Sequence, residues 1–208
     1  VILDPAALSH QDAYKLLVGA VVPRPIAFVS SMDRSGALNL APFSFFNVVA
    51  ADPMALAFSV MRRGPEALKK DTLRNVEETG EFVVNLVDEA LVPRMNMTSA
   101  DFPHGVSEFA EAGLTPAASE VVRPPRVLES PISMECKLLR TVEVGAGPGG
   151  GTLIIGQVVR VHVRDALYDQ GRIDPEQLRA VGRMAGATYA RTTDRFDLAR
   201  PVYPSVAR

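Results

Sequence analysis

One stretch constrains this chain more than any other. Residues 21–47 read VVPRPIAFVSSMDRSGALNLAPFSFFN, two apolar runs around a tight turn. Residues 21–31 are expected to form a strand. Pro23 and Pro25 remove two backbone donors, so this strand is expected to start at a sheet edge. Asp33-Arg34-Ser35-Gly36 is turn chemistry, with Asp at its start and Gly where a positive φ is needed. A second strand, residues 37–41, runs into Pro42-Phe43-Ser44-Phe45-Phe46-Asn47. That end sets three aromatic rings, a hydroxyl and an amide beside backbone with little regular pairing. It suits a flat, partly apolar ligand whose edge needs a few hydrogen bonds. A phenylalanine-rich core corner explains the rings equally well.

A third strand is expected at residues 54–61, an apolar run suited to a buried barrel strand. The character then changes to RRGPEALKKDT, residues 62–72, a loop with four cations. It leads into a helix, LRNVEET, which Gly80 stops. A helix N-terminus with Arg and Lys beside it suits a phosphate monoester. Thr72 adds a hydroxyl donor, and Asp71 or Thr72 is expected to cap the helix. A solvated basic loop with an ordinary cap is the bland alternative. Residues 81–87, EFVVNLV, form the next strand.

Elsewhere the chain excludes more than it offers. A helix ahead of the hairpin is expected to be capped by Ser9, packed through Ala13, Leu16 and Leu17, and ended by Gly19. Residues 88–120 read as short helices and loops, and His104 as a surface histidine that overhangs a pocket at most. Two long strands, 132–144 and 152–163, flank a glycine-rich tip. Gly145, Gly147 and Gly150 make a formal G-x-G-x-x-G, but a strand follows and Pro148 interrupts it, so no dinucleotide fingerprint is present. His10, His104 and His162 are scattered, without metal-ligand spacing, and no metal is expected. There is no G-x-S-x-G elbow for a serine hydrolase. Cys136, the single cysteine, excludes a disulfide framework and reads as a buried, inert thiol. Residues 192–208 read as an apolar C-terminal arm that wraps over the domain or a partner subunit.

The formal net charge of −2 gives no basic excess for nucleic acid or a membrane surface. No apolar run reaches the roughly 20 residues of a membrane span, and no basic-then-apolar leader opens the chain. The expectation is a cytoplasmic chain of 208 residues folded as one domain. Strands outnumber helices and no βαβ alternation appears. The predicted fold is therefore mainly β, a closed antiparallel barrel with appended short helices.

PRPIAFVSS, then NLAPFSFFN, then a basic loop ending KDT, then a helix and EFVVNL resemble the flavin reductase-like, FMN-binding split-barrel family, which includes flavoredoxin. The resemblance runs from about residue 18 to 191. It implies a six-stranded Greek-key barrel, a homodimer, and FMN near the subunit interface, with FAD as the other possible flavin. It implies that Asn39, Ala41, Pro42, Phe43, Ser44, Phe46 and Asn47 lie along the flavin ring. Backbone N–H groups from Ala41 to Ser44 would serve its pyrimidine edge. Ser30 and Ser31 would reach the ribityl chain. Arg62, Lys70, Asp71 and Thr72 match the phosphate segment, Asp71 acting through its backbone N–H or as a cap. Arg24 would face the ring or the phosphate. GRMAGATY resembles a late element near the pocket, making Arg183 and Tyr189 further candidates.

The implied activity is that of an NAD(P)H-dependent flavin reductase. A hydride from NADH or NADPH reaches the flavin with no side-chain acid or base, so no catalytic side chain is expected. Electrons pass on to free flavin, a partner oxygenase or another carrier. The alternatives are a flavoredoxin-like electron carrier that does not oxidise NAD(P)H, and a non-enzymatic barrel that binds another ligand or a protein partner.

Overall fold

The computed structural model describes residues 1–103, 105–201 and 203. The fold is mainly β with short helices. Helix α1 (His10–Ala20) is capped by Ser9, whose hydroxyl accepts from Asp12 N–H. Its buried residue is Val18, while Leu16 and Leu17 face out. The helix continues one residue past Gly19 to Ala20.

Strands β1 (Ala27–Met32), β2 (Leu38–Phe43), β3 (Phe46–Ala51) and β4 (Met54–Met61) come next. Helix α2 (Asp71–Thr79) follows the basic loop and ends on Gly80 at φ 72°, the left-handed value that favours glycine. Lys70, not Asp71 or Thr72, occupies the N-cap position, and it makes no side-chain cap hydrogen bond. Strand β5 (Glu81–Asn85) then leads to helices α3 (Val92–Met97) and α4 (Glu108–Glu111). A small ribbon pairs β6 (Pro116–Ala117) with β7 (Arg126–Val127). The long hairpin of β8 (Ile132–Val144) and β9 (Gly151–Val163) turns at the glycine-rich tip.

The main sheet has the order β2-β1-β5-β8-β9-β4-β3, antiparallel throughout. It has seven strands, not six. The additional one is β3, which the aromatic corner hides: only Ser44 and Phe45 separate it from β2. Those two residues join the opposite edges of the sheet. The sheet therefore has to curl almost into a barrel, left open between β2 and β3, whose edges have no ladder between them.

β1 lies between β2 and β5, so it is not an edge strand. Pro23 and Pro25 precede its first paired residue, Ala27, where no ladder donor is required. Pro42 does lie in an edge strand, β2, where a missing donor costs no sheet pairing.

Phe58 is the centre of the interior. Its ring lies 5.3 Å from Phe43 and 5.5 Å from Phe82, with Val60, Leu73, Val84 and Ile154 around them. A second cluster, with Phe28, Leu40, Leu91, Met95 and Phe109, fills the space under α3 and α4. Cys136 belongs to the first cluster, and burial pushes its thiol far above the ordinary range.

The tail starts after a small hairpin, β12 (Val181–Arg183) with β13 (Tyr189–Arg191). It is preceded by the ribbon β10 (Tyr168–Asp169) with β11 (Arg172–Ile173) and the turn of helix α5 (Pro175–Leu178). Residues 192–201 have no regular structure. Phe196 and Leu198 are 89% and 86% exposed, so this part of the arm does not wrap over its own domain. Val202, residues 204–208 and His104 lie outside the described residues. Among the described residues, no helix is long and apolar enough to cross a membrane.

Candidate functional site

The open edge of β2 and the start of α2 meet in one polar pocket. Asn39, Ala41 and Pro42 line it from β2, and Lys70, Asp71 and Thr72 from the beginning of α2. These are six of the expected residues, contributed by two segments about 30 positions apart in the chain. The pocket measures about 130 Å³. Its other walls are Arg63, Thr98 through Phe102, and Glu108.

Buried hydrogen bonds fix this junction. Asn39 Nδ2 donates to the Thr72 hydroxyl at 2.8 Å and reaches Ser31 Oγ at 3.4 Å. Asn75 of α2 donates to the same Ser31 oxygen at 3.1 Å. Ser31 thus underlies the pocket rather than lining it. Ser30 lies deeper still, with its hydroxyl on the Pro125 carbonyl in the fully buried interior. Strand alternation explains the outcome: a run ending Ser-Ser cannot turn both hydroxyls to one face.

The charges here are unevenly placed. Lys70 is half-buried, and burial lowers its pKa; nearby Arg63 lowers it further, while Asp101 acts in the opposite direction. Arg63 pairs with Asp101 at 3.3 Å. Asp71 opens α2 and accepts from Arg74 at 3.1 Å. Glu108 accepts from Leu40 N–H at 2.9 Å, and burial raises its carboxyl above the ordinary value.

That last bond fixes the orientation of the β2 edge. Leu40 turns its N–H away from β1. In an antiparallel pair every second residue faces outward. Pro42 is the next outward residue and has no N–H, whereas Ala41 and Phe43 direct theirs at β1. Of the segment from Ala41 to Ser44, only Ser44 therefore remains to offer an outward backbone donor. The Phe43 side chain faces the core.

The other half of the aromatic corner lines a second pocket, about 440 Å³ and largely apolar. Phe45, Phe46, Ser44 and Asn47 form one side, and Leu17, Val21, Pro23, Arg24 and Pro25 the other. Arg24 is only 5% exposed. Its guanidinium donates to the carbonyls of Val18 and Val21 at 2.7 Å each, to Met184 O at 2.9 Å, and to Ser44 Oγ at 3.3 Å. Burial lowers its pKa, and the spread of acceptors explains how the charge is nonetheless kept. It clamps the end of α1 and the late hairpin onto the corner.

Arg183 joins that clamp through backbone bonds with Arg24 in both directions, at 3.0 and 2.8 Å. Its guanidinium lies 4.6 Å from the Tyr189 ring centroid, and the Tyr189 hydroxyl donates to Asn96 at 3.0 Å. Neither lines the two pockets above. Arg62 also lies elsewhere, ion-paired with Glu143.

Arg63, Glu108 and the segment from Thr98 to Phe102 were missed by sequence reasoning. The basic loop did signal Arg63, since strand-like alternation must send one of two adjacent arginines to each side. Nothing in TSADF distinguishes it from an ordinary polar loop. Among the described residues, no group of three or more His, Cys, Asp or Glu side chains is placed to hold a metal.

The flavin reductase-like domain model matches residues 18–195. The chain belongs to the flavin reductase-like family. It is 46% identical over 202 residues to an uncharacterized protein of Halalkalibacterium halodurans, covering 96% of each chain. Among solved structures it is similar to nitrilotriacetate monooxygenase component B from Bacillus cereus: 44% identity, TM-score 0.90, 95% of this chain and 98% of that one covered. It is also similar to the Pseudomonas fluorescens 2-nitrobenzoate 2-nitroreductase NbaA: 33% identity, TM-score 0.88, both chains covered in full. These likenesses extend over nearly the whole chain, so the family's split-barrel fold accounts for both edges of the curled sheet.

Proposed function

We propose that the pocket between β2 and α2 holds the phosphate end of FMN, and that the chain is an NAD(P)H-dependent flavin reductase. The observation that supports this most is the convergence of Lys70, Arg63, Thr72 and the uncapped first turn of α2 beside an open strand edge. This donor set suits a phosphate monoester: two cations, a hydroxyl and the positive end of a helix. At about 130 Å³ the pocket suits the phosphate and part of the ribityl chain, not the ring. The ring would lie along Ala41, Pro42 and Ser44, toward Phe46 and Asn47.

When bound, FMN would supply the hydride-accepting ring. The chain's own residues would bind and orient it. Lys70 and Arg63 would neutralise the phosphate, with Asp71 and Thr72 contributing at the first turn of α2. Asn39, held by Thr72 and Ser31, would fix the spacing between strand and helix. Ser44 would present a donor where Arg24 holds its hydroxyl in place. Phe46 would exclude water from one side. No side chain needs to act as an acid or base.

The further parts of the reading are a cytoplasmic homodimer and an acceptor that is free flavin or a partner oxygenase. Exposed Val48, Val49 and Met54 at the β3–β4 edge, together with Phe196 and Leu198 of the arm, support an interface between copies. Likeness to nitrilotriacetate monooxygenase component B from Bacillus cereus supports the oxygenase. Steady-state oxidation of NADH and NADPH with added FMN, FAD or riboflavin tests the reading. Turnover with FMN is expected. Tight flavin binding with no oxidation of either nucleotide would make the protein an electron carrier instead.

A further inference from the structure

A third pocket, larger than the two above at about 680 Å³, lies on the other side of the basic loop. It is lined by α1, the end of β4 and the tip of the β8–β9 hairpin. Its walls combine apolar surface from Tyr14, Met61, Pro65 and Pro148 with the cationic groups of Arg62 and of Lys15, which pairs with Asp12 at 3.2 Å; among the described residues no acidic side chain lines the pocket itself. The volume is that of a small-ligand site.

Three features show that the pocket is built. Arg62 N–H donates to Gly150 O at 2.9 Å, which straps the tip to β4. Gly149 has φ 82°, and a Cβ there would stand 2.8 Å from His10 Cβ, so the tip needs glycine to lie against α1. The Arg62 side chain is only 5% exposed and pairs with Glu143, yet its Nε has no partner. A buried guanidinium N–H without an acceptor is a group that a ligand can satisfy.

The pocket is also directed toward the flavin corner. Tyr14 lines it and leans on Phe45, with ring centroids 6.4 Å apart. Phe45 lines the apolar pocket beside Ser44 and Asn47, which Leu17 of α1 and Val21 just past its end also wall. One face of α1 thus runs from a cationic pocket to the corner where the ring is placed.

We propose that this groove is a nucleotide site for the adenosine 5′-phosphate end of the reduced pyridine dinucleotide. Tyr14 and the prolines Pro65 and Pro148 hold the base, Lys15 and Arg62 hold the phosphate, and the apolar pocket receives the nicotinamide end. The identity of the donor rests on the flavin reductase reading; the nucleotide site itself does not. The site lies outside any Rossmann unit, consistent with the glycine-rich tip acting as a packed wall rather than a phosphate cradle.

Calorimetric titration with AMP, with inorganic phosphate as the comparison, tests this on wild-type protein loaded with FMN. AMP is expected to bind, and phosphate alone much more weakly. Lys15→Glu and Tyr14→Ala change exposed side chains, so the fold is expected to persist. Each should weaken AMP by roughly tenfold, with FMN uptake unchanged, and Tyr14→Phe should restore AMP binding. No AMP binding to protein that takes up FMN overturns the site and leaves the flavin reading standing. AMP binding by protein that takes up no flavin supports the site and overturns the flavin reading. Equal binding of AMP and phosphate, or AMP binding indifferent to both substitutions, overturns the proposal. Sequestration of Tyr14 and Lys15 in an interface between copies does so too.

Discussion

Lys70→Ala should weaken FMN without weakening riboflavin. Lys70 sits half-buried where α2 begins, and burial already lowers its pKa. At about 4 Å and an effective dielectric near 20, two unit charges attract by about 4 kcal/mol. Desolvation and the acids in the same pocket, Asp71, Asp101 and Glu108, reduce that figure. A net loss of about 1–3 kcal/mol is expected, the usual value of a charged hydrogen bond. That corresponds to a dissociation constant raised about 5- to 150-fold. Fluorescence titration with FMN and riboflavin isolates the phosphate, since the two flavins differ only there. The pH dependence has a definite sign. A bound phosphate favours the ammonium, so above the phosphate's own second pKa of about 6 affinity is full until pH reaches the lowered pKa of Lys70, and it falls as pH rises through it. Lys70→Arg should abolish that fall. Equal weakening of FMN and riboflavin, or no weakening of either, would refute the phosphate assignment.

Other outcomes follow from the same structure. Glu108→Gln removes a negative charge from the pocket while its amide oxygen can still accept from Leu40 N–H; FMN should bind about three- to tenfold tighter in the same titration. Gly156→Ala would place a methyl 2.3 Å from Phe82 Cζ, inside the main cluster. It should cost about 1–3 kcal/mol in urea unfolding. Glu135 has a fully buried side chain: burial pushes its pKa up, but N–H groups of Glu120, Val121 and Val122 and the His162 ring outweigh that and hold it below the ordinary value. Its contribution is present at neutral pH and is lost as pH falls through that lowered pKa. Glu135→Gln should therefore lose about 1.5–3 kcal/mol at neutral pH and show a flatter acid limb; an unchanged acid limb would contradict the assignment.

The sequence was most legible where chemistry is local. Gly80 announced the end of α2, Ser9 the start of α1, and the glycine-rich run the long hairpin tip. β4 matched its expected bounds because its run is apolar at every position but Ser59. β3 was illegible for the opposite reason: it is an edge strand with most residues exposed, so burial imprints no pattern on FNVVAA. Edge placement was misread at Pro23 and Pro25, because a proline just before a strand and one within an edge strand look the same in sequence. At the candidate pocket, KDT was legible because a helix start with cations beside it leaves a chemical trace, while Asn39 came only through the family resemblance. Glu108 and the Thr98–Phe102 wall come from packing of distant segments, which no local pattern records. Arg24 and Arg62 were identified as important cations, but which carbonyls or carboxylates they meet depends on the tertiary fold.

The most direct measurement is an absorbance spectrum of the protein incubated with FMN and desalted, taken before and after anaerobic addition of NADH or NADPH. A retained flavin spectrum that bleaches with one of them is the predicted result. A protein that emerges colourless from FMN and FAD alike would contradict the account at its centre.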